Sequence, residues 1–286
     1  MRLFLPILLL SLLTLSAANA CSEDGTQGIV EENDLFIPVN FKSSNTMTKT
    51  EFMSLLTKIE TIYSPVIKER GAKLKVVKNW SSGTVNAYAQ QERGTWFIKM
   101  FGGLARHKTI TLDGLALVAC HELGHHMGGA PTKGSWASTE GQSDYFSSMK
   151  CFKRLFEDDD NLSIISKMKI PTTMTERCEQ AFASEKESSL CVRSAMAGQS
   201  LANLFQSLRS LPGLPSVDTP DIKIVTRSNP AHPAPQCRLD TYFQGALCSK
   251  GHDASPSQKS ILKGMCSRID KLKNGLRPLC WFFPAL

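Results

Sequence analysis

The pattern of apolar and polar positions first predicts a helix that begins behind Thr48. Thr48 and Glu51 have the spacing of a capping box, in which each side chain bonds the other residue's backbone amide. The residues that follow repeat an apolar side chain every three or four positions, which is typical of an amphipathic helix. The apolar positions of this face are Phe52, Leu55, Leu56, Ile59 and Ile62.

Two strands and a second helix are predicted next. Residues 73–77 have the pattern of a short strand, and the β-branched and aromatic run of residues 95–100 predicts another. The next helix begins near Thr111 or Asp113, since either side chain could cap it. It ends at residues 128–131, because the glycines and the proline there stop a helix.

The second half of the chain is predicted to be mostly helical. A helix starts around residues 135–138 and runs to about residue 156, and residues 179–208 have a helical composition. The stretch of residues 211–235 is rich in proline and serine and is predicted to be loop. We therefore expect an α+β fold that is mostly helical and contains a small sheet.

The N-terminus has the features of an export signal, predicted over residues 1–20. A positive start is followed by an apolar core and by a small-residue cleavage site at Ala18-Asn19-Ala20. The apolar core is too short to span a bilayer comfortably, and no later segment approaches about 18 consecutive apolar residues. We expect an exported protein of the periplasm, the cell envelope or the exterior, with no transmembrane helix in the mature chain.

The remaining residues divide into a leader and a folded domain. Residues 21–42 are polar and acidic and are predicted to form a tether. The domain is predicted over residues 43–286, and its last part, from about residue 237 to the end, contains four cysteines. This part is predicted to be a cap that disulfides hold together.

The chain contains nine cysteines, and an exported protein should pair most of them in disulfides. The odd count leaves at least one cysteine unpaired or modified. Cys21 is one candidate, because a cysteine directly after a signal peptide is where bacterial lipoproteins carry a lipid anchor. Cys120 is the other candidate. Cys178 and Cys191 could be bonded to each other or elsewhere.

The charge pattern argues against nucleic acid as a partner. The formal net charge of +7 is modest, and the lysines and arginines are scattered along the chain. No run combines basic residues with aromatic side chains on which bases could stack. The excess of positive charge is therefore interpreted as a contribution to solubility.

Three residues of the second predicted helix can build a zinc site with its own base. His121 and His125 are four residues apart, so both imidazoles lie on one helical face and can reach a single metal ion. Glu122 follows the first histidine, where it can deprotonate a water that the metal activates. His126 lies about 100° around the helix from His125 and should face away from the metal.

A catalytic zinc needs a third protein ligand, and the following helix offers one. Glu140 and Asp144 are four residues apart and share a helical face. Glu140 can bind the metal, and Asp144 can accept the remaining N–H of a histidine ligand. The alternative interpretation is that both are exposed acids on a helix surface.

Together these residues resemble the zincin peptidases with a glutamate third ligand, in particular the HtpX and CAAX-prenyl-protease type. Three further stretches carry the resemblance. Residues 85–89 resemble the family's Asn-Ala-Phe-Ala segment, and residues 94–104 resemble its edge strand and following turn. His232, with the proline after it and Arg238, resembles the family's late His-Pro-x-x-x-x-Arg motif.

The resemblance implies a zinc-dependent endopeptidase with a zincin-like fold and one zinc per chain. The zinc would be held by His121, His125 and Glu140, and Glu122 would act as general base. The strand of residues 96–100 would be the edge strand that precedes the active-site helix. It would pair with an extended peptide or unfolded protein substrate.

The late motif suggests roles for two more residues. His232 would stabilise the oxyanion of the tetrahedral intermediate or occupy the open zinc position in a resting state. The alternative is that His232 is a polar residue of a proline-rich loop. Arg238 is expected to brace this loop through a carboxylate or a backbone carbonyl.

A second class of function remains open from the sequence. A non-catalytic zinc-binding envelope protein or chaperone could retain the peptidase scaffold without its activity. Degenerate peptidases usually lose the base or a ligand, and this chain retains Glu122, His121, His125 and Glu140. The sequence therefore favours the enzyme.

Overall fold

The computed structural model describes residues 28–41 and 47–284. The predicted signal peptide, Cys21 and the first part of the predicted tether lie outside the described residues. Nine α-helices are found in the described part of the chain. They are α1 (Lys49–Lys68), α2 (Gly102–Ala105), α3 (Leu112–Met127), α4 (Glu140–Phe146), α5 (Phe152–Phe156), α6 (Asn161–Ile165), α7 (Thr172–Ala181), α8 (Glu185–Leu208) and α9 (Pro235–Leu247). The strands are β1 (Lys73–Asn79), β2 (Ala87–Glu92), β3 (Thr95–Phe101), β4 (Thr132–Lys133) and β5 (Ala137–Ser138).

The first helix forms as its sequence predicts. The Thr48 side chain accepts a hydrogen bond from the Glu51 amide, and the Glu51 carboxylate accepts one from the Thr48 amide. The predicted capping box is therefore confirmed. One face of α1 is buried against β1 and the core, and it includes Phe52, Leu56 and Ile59.

Strands β1, β3 and β2 form a sheet in that order. β2 and β3 are antiparallel and are joined by a tight turn at Arg93 and Gly94, both of which have positive φ. β1 lies parallel to β3 on its other side. The prediction that residues 96–100 form an edge strand is therefore wrong, because both sides of β3 are paired.

The edge strand next to helix α3 is β2, which the hydrophobic pattern did not predict. Its sequence from Ala87 to Glu92 lacks the β-branched residues that mark most strands. The tight turn at Gly94 brings it against β3, and the pairing then supplies its backbone hydrogen bonds. The strand conformation of β2 therefore follows from its pairing with β3 and not from its own sequence pattern.

Helix α3 lies at the centre of the domain. Its cap is Thr111, whose hydroxyl accepts a hydrogen bond from the Gly114 amide at 2.9 Å. From Asp113 to Met127 every residue of α3 is buried. The sheet, α1, α4 and α8 surround the helix, so its polar residues can only face other protein groups.

The predicted helix that follows begins later than expected. Residues 132–133 and 137–138 form the two-stranded β4–β5 hairpin instead, and α4 begins at Glu140. From there α4, a π-helical turn (Ser147–Cys151) and α5 follow one another without a break to Phe156. The region predicted as helical over residues 179–208 divides into the end of α7 and α8.

The eight cysteines of the described residues form four disulfides. Cys178 is bonded to Cys191, and Cys248 is bonded to Cys266. The other two bonds are Cys120–Cys151 and Cys237–Cys280. The suggestion that Cys120 is the unpaired cysteine is wrong, because the π-helical turn presents Cys151 to the buried face of α3. Such pairing indicates an oxidising, exported environment.

The described part of the predicted tether packs on the domain. Ile29, Val30 and Ile37 are buried, although the residues around them are exposed and acidic. The Ile37 amide donates to the Gly83 carbonyl, and the Arg106 side chain donates twice to the Ile37 carbonyl. Residues 28–41 differ from the expected tether because a few apolar side chains anchor an otherwise polar segment.

The described fold is α+β, mostly helical with a small sheet, as the sequence predicts. In residues 28–41 and 47–284, none of the helices combines the length and the apolar character that a membrane crossing needs.

Candidate metal centre

Helix α3 presents both histidines of the motif on one face. The rings of His121 and His125 are 4.7 Å apart between centroids and lie perpendicular, with an interplanar angle of 89°. Both side chains are completely buried, and so is Glu122 between them in sequence. The helical spacing alone accounts for this arrangement.

Helix α4 brings the predicted third ligand to the histidines because it packs closely on α3. A Cβ atom added at Gly124 would lie 2.9 Å from the Cα and carbonyl oxygen of Ser143. The missing side chain therefore allows the two backbones to touch. Glu140, the first residue of α4, consequently lies 3.2 Å from Nε2 of His121, measured to its Oε2 atom.

Acceptors on the far side of both imidazoles fix which ring nitrogen carries the proton. Nδ1 of His121 lies 2.7 Å from Oδ1 of Asp144, and Nδ1 of His125 lies 2.9 Å from the Ser138 carbonyl oxygen. Because a carboxylate and a carbonyl can only accept, both Nδ1 atoms must donate. The Nε2 atoms are left as free bases that point toward Glu140.

The donor atoms of the cluster fit a metal ion. One atom each from His121, His125 and Glu140 lies within 4.8 Å of the other two. Nε2 of both histidines and Oε2 of Glu140 are buried without a hydrogen-bond partner in the described part of the chain. Buried polar atoms without partners are costly, and a shared cation would satisfy all three at once. The cluster can therefore hold a metal ion.

The electrostatics of the site also favour a cation. Burial alone would lower the pKa of His121, but the charge of Asp144 and its hydrogen bond outweigh burial and raise the pKa to about 9. The negative field that favours a proton on this ring equally favours a metal ion there. Burial lowers the pKa of His125 to about 3, so this imidazole is neutral and free to donate its lone pair.

Glu122 is placed as a base without a fixed partner. Both of its carboxylate oxygens are buried and lack a hydrogen-bond partner among the described residues. Burial, aided by the nearby charge of Glu140, raises the pKa of Glu122 to about 8. A carboxylate that holds a proton this readily is suited to general base and acid chemistry near neutral pH.

Asp144 is the centre of a buried network behind His121. Arg238 donates to both oxygens of Asp144 at 2.8 Å, and the Tyr242 hydroxyl donates to Oδ1 at 2.5 Å. Burial alone would raise the pKa of Asp144, but the Arg238 charge outweighs it and lowers the pKa to about 2. The carboxylate is thus permanently charged and holds the His121 ring in one orientation.

Lys133 pairs with the other oxygen of Glu140. Its Nζ atom lies 2.6 Å from Oε1, and its side chain is almost completely buried. The Oε2 atom, which faces His121, has no hydrogen-bond partner in the described part of the chain. Burial would raise the pKa of Glu140, but its electrostatic interactions with His232, His125 and Lys133 outweigh burial and hold the pKa well below its usual range.

The structure brings His232 to the cluster. Its Nε2 atom is 3.1 Å from Oε2 of Glu140, and its side chain is 5 % exposed. The Glu140 amide contacts the Pro230 carbonyl at 3.5 Å, which holds the loop before His232 against the start of α4. Arg238 contacts a carboxylate and also donates to a backbone carbonyl, that of Ile29, at 2.7 Å.

His126 faces away from the cluster, as its position on the helix requires. Its ring is stacked between Trp96 and Trp136, at centroid distances of 5.1 and 4.9 Å. Nε2 lies 3.1 Å from the Phe97 carbonyl oxygen, and Nδ1 contacts Gln91. This histidine therefore fixes α3 to the sheet.

A second group of potential ligand atoms does not form a comparable site. Asp221, Cys237 and Cys280 lie close together, but the two sulfurs are bonded to each other. A disulfide sulfur is a poor metal ligand, since metals bind the thiolate.

The sequence analysis did not predict three groups of the site. Two of them have no local signal in the sequence, and the third has one. Lys133 and the Ser138 carbonyl lie in the β4–β5 hairpin, and only its folding turns them toward the helix. Tyr242 could have been found, because it lies four residues after Arg238 on the same face of α9.

Comparisons of the chain with protein-family models, with curated proteins and with solved structures gave no match.

Proposed function

We propose that this protein is an exported zinc-dependent endopeptidase. The observation that carries the proposal is the set of buried, unpartnered atoms on His121, His125 and Glu140, beside the unpartnered carboxylate of Glu122. A scaffold that only needed stability would not retain four such groups together, because each one costs free energy without its ligand.

Zinc is the metal that best suits these donors. Two imidazole nitrogens and one carboxylate oxygen form the ligand set of catalytic zinc sites, which leave one position open for water or substrate. When bound, zinc supplies Lewis acidity that polarises the scissile carbonyl and makes water acidic enough to lose a proton near neutral pH.

The chain's own residues would perform the remaining steps. Glu122 takes the proton from the attacking water and delivers it to the leaving amine. His232, through its Nε2 atom, donates a hydrogen bond to the carbonyl oxygen as negative charge develops there. Asp144 and Arg238 hold the first histidine still, so that little reorganisation is needed during the reaction.

Strand β2, as the edge next to α3, would bind the substrate backbone. A peptide that lies along an edge strand is held mainly by main-chain hydrogen bonds, which depend little on sequence. We therefore propose extended peptides or unfolded proteins as substrates. Four disulfides and the predicted signal peptide support a place in the periplasm or cell envelope or outside the cell, with Cys21 as a candidate lipid anchor.

The first test separates metal binding from catalysis. Replacing Glu122 by Gln removes the base but no metal ligand, so zinc content should remain at one per chain while hydrolysis falls by about 10²- to 10⁴-fold. Hydrolysis of casein or a quenched peptide, with and without chelator, is the measurement. Glu176→Gln on the exposed face of α7 is the matched control. Undiminished cleavage by zinc-loaded Glu122→Gln protein would contradict the mechanism.

The second test concerns the third ligand. Replacing Glu140 by Ala leaves two histidines for the metal, so zinc content after dialysis should fall clearly below one per chain. Metal analysis of the purified variant measures this, with Glu176→Ala on the exposed face of α7 as control. Stoichiometric zinc in Glu140→Ala protein would show that the ligand is misassigned. Zinc binding without hydrolysis of any substrate would favour the non-catalytic envelope protein or chaperone.

A further inference from the structure

The chain's own N-terminal segment lies at the candidate metal centre. Residues Gly28, Ile29 and Val30, here called the strap, pass between the start of β2 and the loop that carries His232. All three are buried, and Ile29 is completely inaccessible. A predominantly acidic and polar leader would ordinarily stay in solvent, so the burial of these three residues against the site requires an explanation.

The carbonyl group of Gly28 contacts His232, which itself contacts the candidate metal centre. Its oxygen lies 3.0 Å from Nε2 of His232, and the same nitrogen lies 3.1 Å from the Oε2 atom of Glu140. The Gly28 carbonyl therefore occupies the position in which His232 could stabilise a developing negative charge on a substrate oxygen.

The backbone of Ile29 is held from two sides. The Ile29 amide donates to the Ala87 carbonyl on β2 at 3.0 Å, and the Ile29 carbonyl accepts from Arg238 at 2.7 Å. The nitrogen of the Gly28–Ile29 bond is thus fixed by the edge strand, and its carbonyl by the histidine loop. Both halves of this peptide bond contact groups of the site.

Asn86 fixes the third residue of the strap. Its Oδ1 atom accepts from the Val30 amide at 3.3 Å, and its Nδ2 atom donates to the Val30 carbonyl at 3.2 Å. From the Gly28 carbonyl to the Val30 carbonyl, every backbone polar group of the strap has a partner in the site. An extended peptide substrate would be held by the same kind of main-chain bonds.

We propose that the Gly28–Ile29 peptide bond is bound as a substrate and that the protein cleaves it in its own chain. The proposal rests on the proposed peptidase function and adds a self-processing site to it. In the reaction, water adds its oxygen to the Gly28 carbonyl carbon, and the bond from that carbon to the Ile29 nitrogen breaks. Glu122 transfers one water proton to this nitrogen, and the second water proton follows when the new carboxyl group ionises, so that the products are a Gly28 carboxylate and an Ile29 ammonium group.

Only glycine fits at the first position of the strap. A Cβ atom at residue 28 would lie 2.1 Å from Oδ1 of Asn86 and 2.4 Å from the Ala87 carbonyl oxygen. The backbone thus approaches the edge strand as closely as a missing side chain allows. Any larger residue should expel the strap from the site while leaving Glu122 and the metal ligands unchanged.

Cleavage would change both the N-terminus and access to the site. The processed chain begins at Ile29 and no longer carries Cys21, so a lipid anchor on that cysteine would be lost with the leader. Until the strap leaves, it competes with other peptides for the same backbone partners. The self-processing step therefore also governs when the enzyme accepts external substrates.

The first experiment reads the N-terminus by intact mass and N-terminal sequencing. The wild-type protein, as purified or after zinc addition, should yield a chain that begins at Ile29. The rate of its appearance should be first order and independent of protein concentration, because the bond lies in its own site. Glu122→Gln protein should keep its original N-terminus.

The second experiment displaces the strap in the full-length protein. Gly28→Val should abolish cleavage between residues 28 and 29. Its kcat/KM on a quenched external peptide should exceed that of wild-type protein that still has its original N-terminus by about tenfold, because the competitor is gone. Asp34→Ala is the matched control, since this exposed residue of the same segment should alter neither result.

The third experiment needs no active enzyme. In metal-free Glu122→Gln protein, the amide hydrogens of Ile29 and Val30 should exchange slowly, and the added Gly28→Val substitution should make their exchange fast. Hydrogen exchange followed by mass spectrometry measures this. Fast exchange in the Glu122→Gln protein would show that the strap is not held in the site, and would overturn the proposal.

The outcomes distinguish failure of this inference from failure of the proposed function. If zinc-loaded wild-type protein cleaves the external peptide but retains its N-terminus, or cuts its leader at another bond, self-processing at Gly28 is refuted and the peptidase remains. If it cleaves neither, both proposals fail. Self-cleavage whose rate rises with protein concentration would refute cleavage within one chain.

Discussion

At the residue scale, the protein pairs almost every buried charge near the candidate centre. In the described part of the chain, Asp144 is bonded by Arg238, and Glu140 by Lys133. When Glu122 is ionised and the histidines are neutral, three carboxylates face two cationic side chains, so the site carries excess negative charge. A divalent cation would compensate this excess, and without one the site should be strained electrostatically.

Asp240 on α9 provides a test of a buried carboxyl group that is not a metal ligand. Burial raises its pKa to about 6, although the Asp221 amide and Gln236 both donate to it. Because the pKa in the folded state is above the ordinary value, folding favours the protonated form. The stability from this group is therefore fully present below about pH 4 and is lost as pH rises through about 6.

We expect Asp240→Asn to change the pH dependence of stability. The free energy of unfolding of the variant minus that of wild type should be larger at pH 7.5 than at pH 4 by up to about 3 kcal/mol, which means that the variant is relatively more stable at the higher pH. Thermal or urea unfolding at the two pH values measures this. The exposed Asp34→Asn serves as control. An equal difference between variant and wild type at both pH values would contradict the prediction.

At the element scale, the contact between α3 and α4 decides whether a metal site exists. His121 and His125 need only the helical repeat of α3, but Glu140 reaches them because Gly124 lets α4 approach. The Cys120–Cys151 disulfide joins α3 to the π-helical turn that follows α4. The third ligand is therefore positioned by close packing and by a covalent bond.

Replacing Gly124 by Ala should push the two helices apart. Alanine favours the helix by up to about 1 kcal/mol, but the clash with Ser143 should cost about 1–3 kcal/mol and displace Glu140. We expect lower stability and a zinc affinity weakened by about tenfold or more. Urea unfolding and competition with a chelating dye measure the two effects.

The control for this prediction is Gly251→Ala. A Cβ atom there would meet only the movable carboxylate of Asp253, so both measurements should stay near wild type. Unchanged zinc affinity in Gly124→Ala protein would show that the α3–α4 distance does not set the position of Glu140.

At the scale of the whole molecule, the cysteine-rich end supports the site from behind. The Cys237–Cys280 disulfide fixes the C-terminal segment to α9, and Trp281 packs on Gly141 directly after Glu140. The Cys178–Cys191 disulfide lies in a separate apolar cluster between α7 and α8. Only the Cys237–Cys280 bond is therefore linked to the candidate centre, through the contact between Trp281 and Gly141.

Removing these two disulfides should affect stability similarly but metal binding differently. On the chain-entropy account, the Cys237→Ala/Cys280→Ala variant should lose about 4 kcal/mol and the Cys178→Ala/Cys191→Ala variant about 3 kcal/mol. Only the first should also weaken zinc binding, because Trp281 loses its anchor. Urea unfolding and zinc titration check both. Equal loss of zinc affinity in the two variants would contradict this assignment.

The sequence by itself determined the features that depend on neighbouring residues. The capping box at Thr48, the helical spacing of His121 and His125, and an even set of cysteines after Cys21 were all predictable. Each depends on contacts within about one helical turn or on composition alone, so no knowledge of the fold was needed. The mostly helical α+β class followed from the same local patterns.

Only the tertiary structure decided which distant groups meet. It made β2 the edge strand and β3 the central one, since strand order depends on pairing and not on the pattern of a single strand. It turned Lys133 toward Glu140 and placed the strap beside His232. Such contacts join residues far apart in the chain, and their free energy comes from burying groups together, which no local spacing records.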